Sequence, residues 1–467
     1  MKPQKPGSSA TTRRGFLKNT GAVSAALAGT FGLNDAFSIE AQTPSSSSGQ
    51  CGFSQLPHGF VYLNSGTEGS MPDCVVNNFR DGLHKWAGNP THAYETDAVF
   101  NKRQDLNRET VGKFLGVEKN NICLTDNTTM GLSMTLMGLN FQPGDRVVAS
   151  NHEHNAILSP LAVQRATMGL EVITRAFPPA HTLRDMNSDE LLDTLFPDSP
   201  SLRGAKALCV SHVYPTTGVR LPLKALRRKA DQLNIRYLVV DGAQAMGMID
   251  LGTDNDNITL SDFYACPGHK WLNGPPSTGV LYLRNANIRP PEFHPTLSQR
   301  MGEYTGGNEV FPMAEALQVR GCSNTPGFAA MIRALHFQQE MGGPAQIEKQ
   351  ILSMSQRVKN HILNRAPSAM VSPHLDPTLK SGLSVFFPFN WDKPKQLFTD
   401  KARADWVVRE LLKKGIQIRS IGFTNAGAKN NNAEKMYALR VSTGIFNTVD
   451  QVEIFNRALT SVLKNIA

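Results

Sequence analysis

An aspartate at the end of an apolar run and a lysine 29 residues later are the side chains best suited to chemistry in this chain. The run from Tyr237 to Val240 ends in Asp241, and Lys270 follows in the segment Gly-His-Lys-Trp. An amine in a partly desolvated site loses its proton and becomes nucleophilic, so Lys270 is a candidate for forming a Schiff base. Asp241 would then pair with the protonated ring nitrogen of pyridoxal phosphate, whose ring accepts electrons from a carbanion.

A possible phosphate site and a possible ring contact precede this pair. Thr128 and Thr129 follow an apolar run and stand where a helix is predicted to begin. Hydroxyls and backbone N–H groups at that position can hold a phosphate, although a threonine there is also an ordinary helix cap. His154 follows the next predicted strand, where its imidazole could stack on a pyridine ring. His152 and His154 could also bind zinc, but no third ligand at a suitable spacing follows them.

Three further polar side chains extend this set. Gln244 follows Asp241 closely enough to contact the phenolic oxygen of the ring, and His269 precedes Lys270, where it would reach the phosphate. Arg440 ends an apolar run, and its planar guanidinium suits a bidentate grip on a substrate carboxylate. An isolated arginine more often forms a surface salt bridge. The combination of these residues therefore indicates the cofactor, and none of them does so alone.

The chain resembles the class V aminotransferases of the fold-type I pyridoxal-phosphate enzymes, and most of all their isopenicillin N epimerase-like branch. The segments DGAQ, GHKW and GPPSTGVLYLR carry the resemblance, which spans about Tyr62 to Leu463. It implies a homodimer in which a loop of each subunit completes the active site of the other. It also implies a role for each site residue: Lys270 carries the cofactor, Asp241 and Gln244 contact its ring, His154 stacks on it, Thr128, Thr129 and His269 hold its phosphate, and Arg440 binds the substrate carboxylate.

The sequence departs from the family at Gly321-Cys322. The family usually has Gly-Thr there, and the threonine hydroxyl contacts the cofactor phosphate of the neighbouring subunit. A thiol is a weaker hydrogen-bond partner than a hydroxyl. Cys322 is therefore expected to make only a weak contact with this phosphate, and Ser323 or Asn324 are the alternatives for the stronger one. Cysteine desulfurases of the same class use a nucleophilic cysteine in the small domain. No cysteine follows Cys322, which argues against that mechanism.

The elements that must position these residues alternate between strands and helices. Strand patterns end near Asp241 and Arg440, and helical patterns begin near Thr129 and Ala156, which predicts a largely parallel sheet flanked by helices. With the resemblance, we expect an α/β fold of type I: a large domain with a mostly parallel seven-stranded sheet and a smaller C-terminal α+β domain. The predicted segments are a linker or N-terminal arm at 42–60, the large domain at 61–326 and the small domain at 327–467.

The amino terminus is predicted to be an export signal. Residues 12–18, TRRGFLK, match the twin-arginine pattern, and an Ala/Gly-rich stretch follows them up to a predicted cleavage region near Ala41. Such signals carry folded cargo through the twin-arginine translocase, so we expect a periplasmic or otherwise exported protein. No apolar run is long enough to predict a stable membrane span.

Charge and cysteine content argue against other classes of protein. The formal net charge of +9 is modest for 467 residues, and no long basic tract indicates nucleic-acid binding. The six cysteines show no CxxC and no spacing typical of a zinc site or a disulfide framework. Most of them are therefore predicted to be small buried hydrophobic residues.

Four functions remain open at this point. Epimerisation at the α-carbon of an amino acid or small peptide comes first, because Lys270 can remove and return a proton on one face and no co-substrate is needed. Reprotonation from the other face could come from Tyr214, His154 or water. The alternatives are a transaminase or tailoring enzyme for an exported peptide natural product, as in periplasmic siderophore maturation, a carbon-sulfur lyase, and a binding protein that keeps the fold without activity. Specificity is expected in the loops 62–71, 294–311 and 423–432.

Overall fold

The computed structural model describes residues 51–91, 102–296, 311–424 and 435–466. The predicted export signal, residues 42–50 of the predicted linker and much of two predicted specificity loops lie outside these ranges. The described strands, in chain order, are β1 Val61–Tyr62, β2 Ile122–Thr125, β3 Arg146–Ser150, β4 Glu171–Arg175, β5 Ala207–Ser211, β6 Tyr237–Asp241, β7 Phe263–Pro267, β8 Gly279–Leu283, β9 Leu383–Phe386, β10 Ile416–Gln417, β11 Arg419–Thr424 and β12 Lys435–Ser442.

Helices separate most of these strands. They are α1 Asp73–Gly88, α2 Lys102–Leu115, α3 Thr128–Gly138, α4 Asn155–Met168, α5 Ala180–Leu183, α6 Ser188–Leu195, α7 Leu223–Gln232, α8 Met313–Gln318, α9 Thr325–Glu340, α10 Gly343–Arg365, α11 Lys401–Leu412 and α12 Val449–Lys464. Helices α9 and α10 follow each other closely, and the chain breaks between them at Gly342, whose φ of 100° a helix cannot accommodate.

The large sheet has seven strands in the order β2-β8-β7-β6-β5-β3-β4. Strand β8 runs antiparallel to both of its neighbours, and the other pairs are parallel. The prediction of a mostly parallel seven-stranded sheet is therefore confirmed. Its inner strands are apolar and fully buried, as expected when helices cover both faces of a parallel sheet.

The sequence did not predict β7, although it lies at the centre of the site. Its residues Phe263 to Pro267 contain a cysteine and a proline next to a glycine, which is typical of a turn. Pro267 is tolerated because it is the last residue of the strand. Parallel pairing of Asp241 with Ala265 then aligns the ends of β6 and β7.

A smaller antiparallel sheet, in the order β11-β12-β9, lies in the carboxyl-terminal part of the chain. The two-residue strand β1 pairs in parallel with β10, and Asn64 bridges to Ser442 just beyond it. These contacts join the segment that follows β1 to the end of β12. The predicted division into domains at residue 326 stays a prediction.

One of the cysteine predictions is wrong. Cys51 and Cys74 form a disulfide across 23 residues, with their Cα atoms 5.6 Å apart. It joins the segment before β1 to the first turn of α1. Cys123, Cys209 and Cys266 are buried, as predicted, whereas Cys322 is exposed.

Within the described ranges, no helix is long and apolar enough to cross a membrane. The same residues contain no group of three or more His, Cys, Asp or Glu side chains arranged to hold a metal ion.

Candidate active site

Lys270 lies in the loop between β7 and β8 and keeps part of its surface exposed. Burial of its amine lowers its pKa to about 8, against the opposing attraction of Asp241. An amine with that pKa is partly neutral near pH 7, whereas an ordinary lysine is almost fully protonated. Lys270 is therefore suited both to nucleophilic attack and to accepting a proton.

Asp241 is the last residue of β6 and is buried. Its Oδ1 accepts a hydrogen bond of 2.8 Å from the backbone N–H of Ala243. Burial raises its pKa, while this bond and the positive charges of Lys270 and His154 act in the opposite direction. The structure thus brings Asp241 within electrostatic reach of both predicted partners.

His154 is the residue that caps α4. Its ring Nδ1 accepts a hydrogen bond of 3.1 Å from the backbone N–H of Ala156, and the residue is exposed. The cap fixes the orientation of the ring beyond the carboxyl end of β3, within electrostatic reach of Asp241. That position is compatible with the predicted stacking contact, which stays a prediction.

Thr128 and Thr129 are the first two residues of α3. The cap of this helix is Asn127, whose side chain accepts from the N–H of Met130, so neither threonine is the cap. The hydroxyl of Thr128 is buried and has no hydrogen-bond partner in the described structure. A buried polar atom without a partner costs about 1–3 kcal/mol, which a ligand oxygen at this helix start would recover.

Close packing places this helix start beside the other residues. A β-carbon added to Gly131 of α3 would come 2.9 Å from the β-carbon of Ala265, so the helix lies directly on β7. Ala265 in turn pairs with Asp241. The start of α3 therefore lies over the strands whose ends carry Asp241 and lead to Lys270.

Gln244 and His269 join the loop after β1 to the site. Gln244 accepts from Nε1 of Trp271 at 2.8 Å and donates through Nε2 to the carbonyl of Gly66 at 2.8 Å, which occupies one of its two amide hydrogens. The ring Nε2 of His269 lies 3.9 Å from the carboxylate of Glu68. Burial and the charge of Lys270 lower the pKa of His269 to about 4, so its ring is neutral.

Arg440 lies on β12 and is only 2% exposed. Its Nη2 donates to the hydroxyl of Thr67 at 2.6 Å, while its Nε is buried without a hydrogen-bond partner in the described structure. Burial, together with the positive charge of Arg419, lowers its pKa to about 9. Such a cation is available for an anionic ligand.

Cys322 lies in the short segment between α8 and α9 and is exposed. The preceding Arg320 donates to the carbonyl of Leu124 at the end of β2, so this segment starts close to the beginning of α3. Asn324 caps α9, because its side-chain oxygen accepts a hydrogen bond from the N–H of Gly327. That oxygen is therefore already engaged in one of the two residues expected as alternatives to Cys322.

The sequence did not predict a role for Glu153, which is buried between the two histidines of the motif. It accepts hydrogen bonds from Ser150 and Ser211 at 2.7 Å each and from Tyr214 at 2.6 Å. Burial raises its pKa to about 7 in spite of these donors. Only its position between His152 and His154 could have drawn attention to it.

His152 belongs to the packing around the site. Its ring stacks on Phe177 with centroids 4.6 Å apart, and its Nε2 lies 3.0 Å from the carbonyl of Thr424. Burial lowers its pKa to about 4. These contacts account for His152 without a metal ion.

The donor set fits pyridoxal 5'-phosphate. The buried carboxylate of Asp241 suits a protonated ring nitrogen, and the amine of Lys270 suits an aldehyde carbon. The unpartnered hydroxyl of Thr128 and the first N–H groups of α3 suit a phosphate.

Comparison with known proteins gives a consistent result. The model of the family described as aminotransferase class-V matches residues 61–455. Isopenicillin N epimerase from Streptomyces clavuligerus is 25% identical over 345 residues, which cover 70% of this chain and 80% of that protein. A probable cysteine desulfurase from Pyrococcus abyssi is 27% identical over 209 residues, 44% of this chain and about half (46%) of that protein.

Solved structures share the fold. A variant of C-DES with glycine covalently linked to its PLP cofactor has a TM-score of 0.69 and 23% identity, and the match covers 87% of this chain and 98% of that one. The apo cysteine desulfurase from Thermococcus onnurineus NA1 has a TM-score of 0.66 and 21% identity, with 87% and 95% covered. At these identities the likeness concerns the fold.

Proposed function

Since the chain belongs to the class-V aminotransferase family and its cofactor is pyridoxal 5'-phosphate, we propose that it is an isopenicillin N epimerase-like enzyme acting at the α-carbon of an amino acid or small peptide. The observation that carries the proposal is the buried amine of Lys270, whose pKa is lowered to about 8 next to Asp241. The similarity to isopenicillin N epimerase over 80% of that protein supports this choice of reaction.

When bound, the cofactor withdraws electrons from the α-carbon and so acidifies its C–H bond. Asp241 holds the positive charge that this withdrawal requires, and Thr128, Thr129 and His269 hold the phosphate. Gln244 would contribute its remaining amide hydrogen to the ring oxygen, and the capped ring of His154 would stack on the ring. Arg440 holds the substrate carboxylate and so fixes the orientation of the α-carbon.

Lys270 moves the proton on one face. Its neutral amine accepts the α-proton and returns it. A lysine with an ordinary pKa would rarely be neutral at pH 7, so the burial that lowers its pKa is essential to this step.

Epimerisation requires a second proton carrier on the opposite face. The hydroxyl of Tyr214 is buried and donates to Glu153, which leaves His154, water and a further candidate, Glu68. Glu68 lies in the loop after β1, and burial raises its pKa. A carboxyl group with a raised pKa, exposed to solvent and close to Lys270, can hold a proton and exchange it with water.

The location of the enzyme is part of the proposal. We infer that the twin-arginine segment exports the folded homodimer with its cofactor to the periplasm. The disulfide between Cys51 and Cys74 supports an oxidising compartment, because disulfides are rare in reducing ones. The loop of a neighbouring subunit that contains Cys322 would complete the phosphate site.

Transamination, tailoring of an exported peptide and carbon-sulfur lysis remain the alternatives, together with a binding protein that keeps the fold. They are separated by incubating the cofactor-loaded enzyme with amino acids and small peptides in D₂O, without any keto acid. We expect exchange of the α-proton and inversion at the α-carbon. Release of a keto acid, sulfide or ammonia would favour an alternative, and binding without exchange would indicate a binding protein.

A further inference from the structure

Gln244 lies between two neighbours that can each play only one part in a hydrogen bond. The indole Nε1–H of Trp271 donates to Oε1 of Gln244 at 2.8 Å, and Nε2 of Gln244 donates to the carbonyl of Gly66 at 2.8 Å. An indole N–H can only donate, and a backbone carbonyl can only accept. The side-chain amide of Gln244 therefore has one orientation, because turning it over would set two donors and two acceptors against each other.

This amide is buried, so water cannot replace either of its partners. Gln244 is 2% exposed, and Trp271 is 1% exposed. A β-carbon added to Gly66 would come 3.1 Å from Oε1 of Gln244, so the loop after β1 lies directly against the amide. A buried polar group that loses its partner destabilises the protein. Both partners are therefore needed to keep the amide in this orientation.

Trp271 is itself held from several sides. Nε2 of Gln338, on α9, donates to the carbonyl of Trp271 at 3.1 Å. A β-carbon added to Gly247 would come 2.5 Å from the carbonyl carbon of Trp271, and one added to Gly382 would come 3.1 Å from Cη2 of its indole. The indole is therefore fixed independently of Gln244, and the amide must adapt to it.

One amide hydrogen of Gln244 is left over. Within the ranges that the structure describes, no carbonyl or side chain accepts it. Gln244 follows Asp241 by three residues, and Trp271 directly follows Lys270, so the amide and its donor belong to the two loops that carry the main cofactor contacts. An amide hydrogen attracts an electron-rich oxygen of a ligand, whereas the amide oxygen would repel it.

We propose that Trp271 is a positioning residue that acts through Gln244: its indole N–H holds the amide so that Gln244 presents a hydrogen, and never its oxygen, to the phenolic oxygen of the cofactor ring. The inference rests on the proposed function, in which Gln244 contacts this ring oxygen. It gives Trp271 a role that requires no contact between Trp271 and the cofactor.

A donor at the ring oxygen changes how tightly a neighbouring nitrogen holds its proton. The nitrogen of Lys270, once it is joined to the cofactor, shares a proton with this oxygen. The hydrogen bond from Gln244 is stronger after that proton has left, because the oxygen then carries more negative charge. The bond therefore lowers the pH at which the nitrogen of Lys270 loses its proton, and removal of the bond should raise that pH.

The test measures this pH from the visible absorption of the cofactor-loaded enzyme, which changes when the nitrogen of Lys270 loses its proton. Trp271→Phe and Trp271→Met both remove the indole N–H, so either of them serves the test, and Gln244→Met removes the amide. The double variant with Trp271→Phe and Gln244→Met shows whether the two residues act together. Trp391→Phe is the control, because Trp391 stacks on His361 of α10.

We expect the Trp271 variants and Gln244→Met each to raise this pH by about one unit, a change of about tenfold in proton affinity. The double variant should show the shift of Gln244→Met and no more, because Trp271 acts only through Gln244. Trp391→Phe should leave the pH unchanged. A role of Trp271 in packing alone would lower the stability of its variants without moving this pH.

The inference is overturned by an unchanged pH in the Trp271 variants, by an unchanged pH in Gln244→Met, or by a shift in the double variant that equals the sum of the single shifts. The same spectra separate this inference from the proposed function. If the wild type develops visible colour with pyridoxal phosphate and one of these results is found, only the inference fails. If the wild type develops no colour, the proposed function fails with it.

Discussion

Gly69 lies directly against the backbone of Lys270. A β-carbon added to Gly69 would come 1.8 Å from the carbonyl oxygen of Lys270, and the N–H of Gly69 donates to the carbonyl of His269 at 2.8 Å. The loop after β1 therefore supports the segment that carries the reactive amine. Two further residues of this loop face the site. Thr67 accepts hydrogen bonds from Arg419 and Arg440, and Glu68 lies 3.9 Å from the ring of His269.

Gly69→Ala tests this support. The added methyl group must displace backbone atoms of Lys270, so we expect a loss of about 1–3 kcal/mol in the free energy of unfolding. We also expect much slower cofactor uptake. Urea denaturation and the rate of colour development with pyridoxal phosphate measure the two effects. Gly88→Ala is the control, because an added β-carbon there meets nothing within 4 Å. Wild-type behaviour of Gly69→Ala would contradict the packing.

Cofactor uptake should depend on the pKa of Lys270. Only the neutral amine attacks the aldehyde, so the uptake rate of cofactor-free enzyme should rise with pH and level off above about pH 8. The negative charge of Glu68 raises the pKa of Lys270, so Glu68→Gln should shift this profile to lower pH. Glu410→Gln on α11 should leave the profile unchanged. A shift to higher pH in Glu68→Gln would contradict the effect of the Glu68 charge on the pKa of Lys270.

Glu153 should make the protein less stable as the pH rises. Its folded pKa of about 7 lies above its ordinary value of 4.5, so its stabilising contribution is complete below pH 4.5 and is lost as the pH rises through 7. Relative to Glu153→Gln, the wild type should lose on the order of 3 kcal/mol between pH 4.5 and pH 8. Denaturation at several pH values measures this difference. Glu171 is exposed, so the stability of Glu171→Gln should change with pH as that of the wild type does. If the stability of Glu153→Gln also changed with pH in the same way as that of the wild type, the raised pKa of Glu153 would be refuted.

The disulfide should contribute to stability. Closing 23 residues with a covalent link restricts the unfolded chain, so reduction or Cys74→Ser should cost about 3 kcal/mol in the free energy of unfolding. Cys322→Ser, at an exposed free cysteine, should not change it. If a reductant leaves the wild-type denaturation curve unchanged, Cys51 and Cys74 are not joined in the protein.

The sequence predicted most of the fold because the central strands are continuous apolar runs. Strand patterns were predicted to end near Asp241 and Arg440, and both residues lie on strands, β6 and β12. Strand β7 was not predicted, because its cysteine and proline interrupt the apolar pattern of a strand. The disulfide was not predicted, because two cysteines 23 residues apart match no characteristic spacing.

The site could be predicted only in part, since several of its contacts depend on the fold. Glu153 receives hydrogen bonds from Ser150 of its own strand end and from Ser211 and Tyr214 near the end of β5. The opposition of Arg419 and Arg440 depends on the register of two strands, and no local pattern reveals that register. The roles assigned by resemblance, such as stacking by His154, remain predictions.

The central claim is that the amine of Lys270 carries the cofactor. The direct test loads the enzyme, from about Gln42 onward, with pyridoxal phosphate, reduces it with borohydride and locates the modified lysine by peptide mass spectrometry. Lys359 is an internal comparison, because burial also lowers its pKa, to about 7, but it lies on α10 against the carbonyl of Ser381. We predict modification of Lys270 alone and none in Lys270→Ala. Modification of Lys359 instead, or no modification of the wild type, would contradict the account.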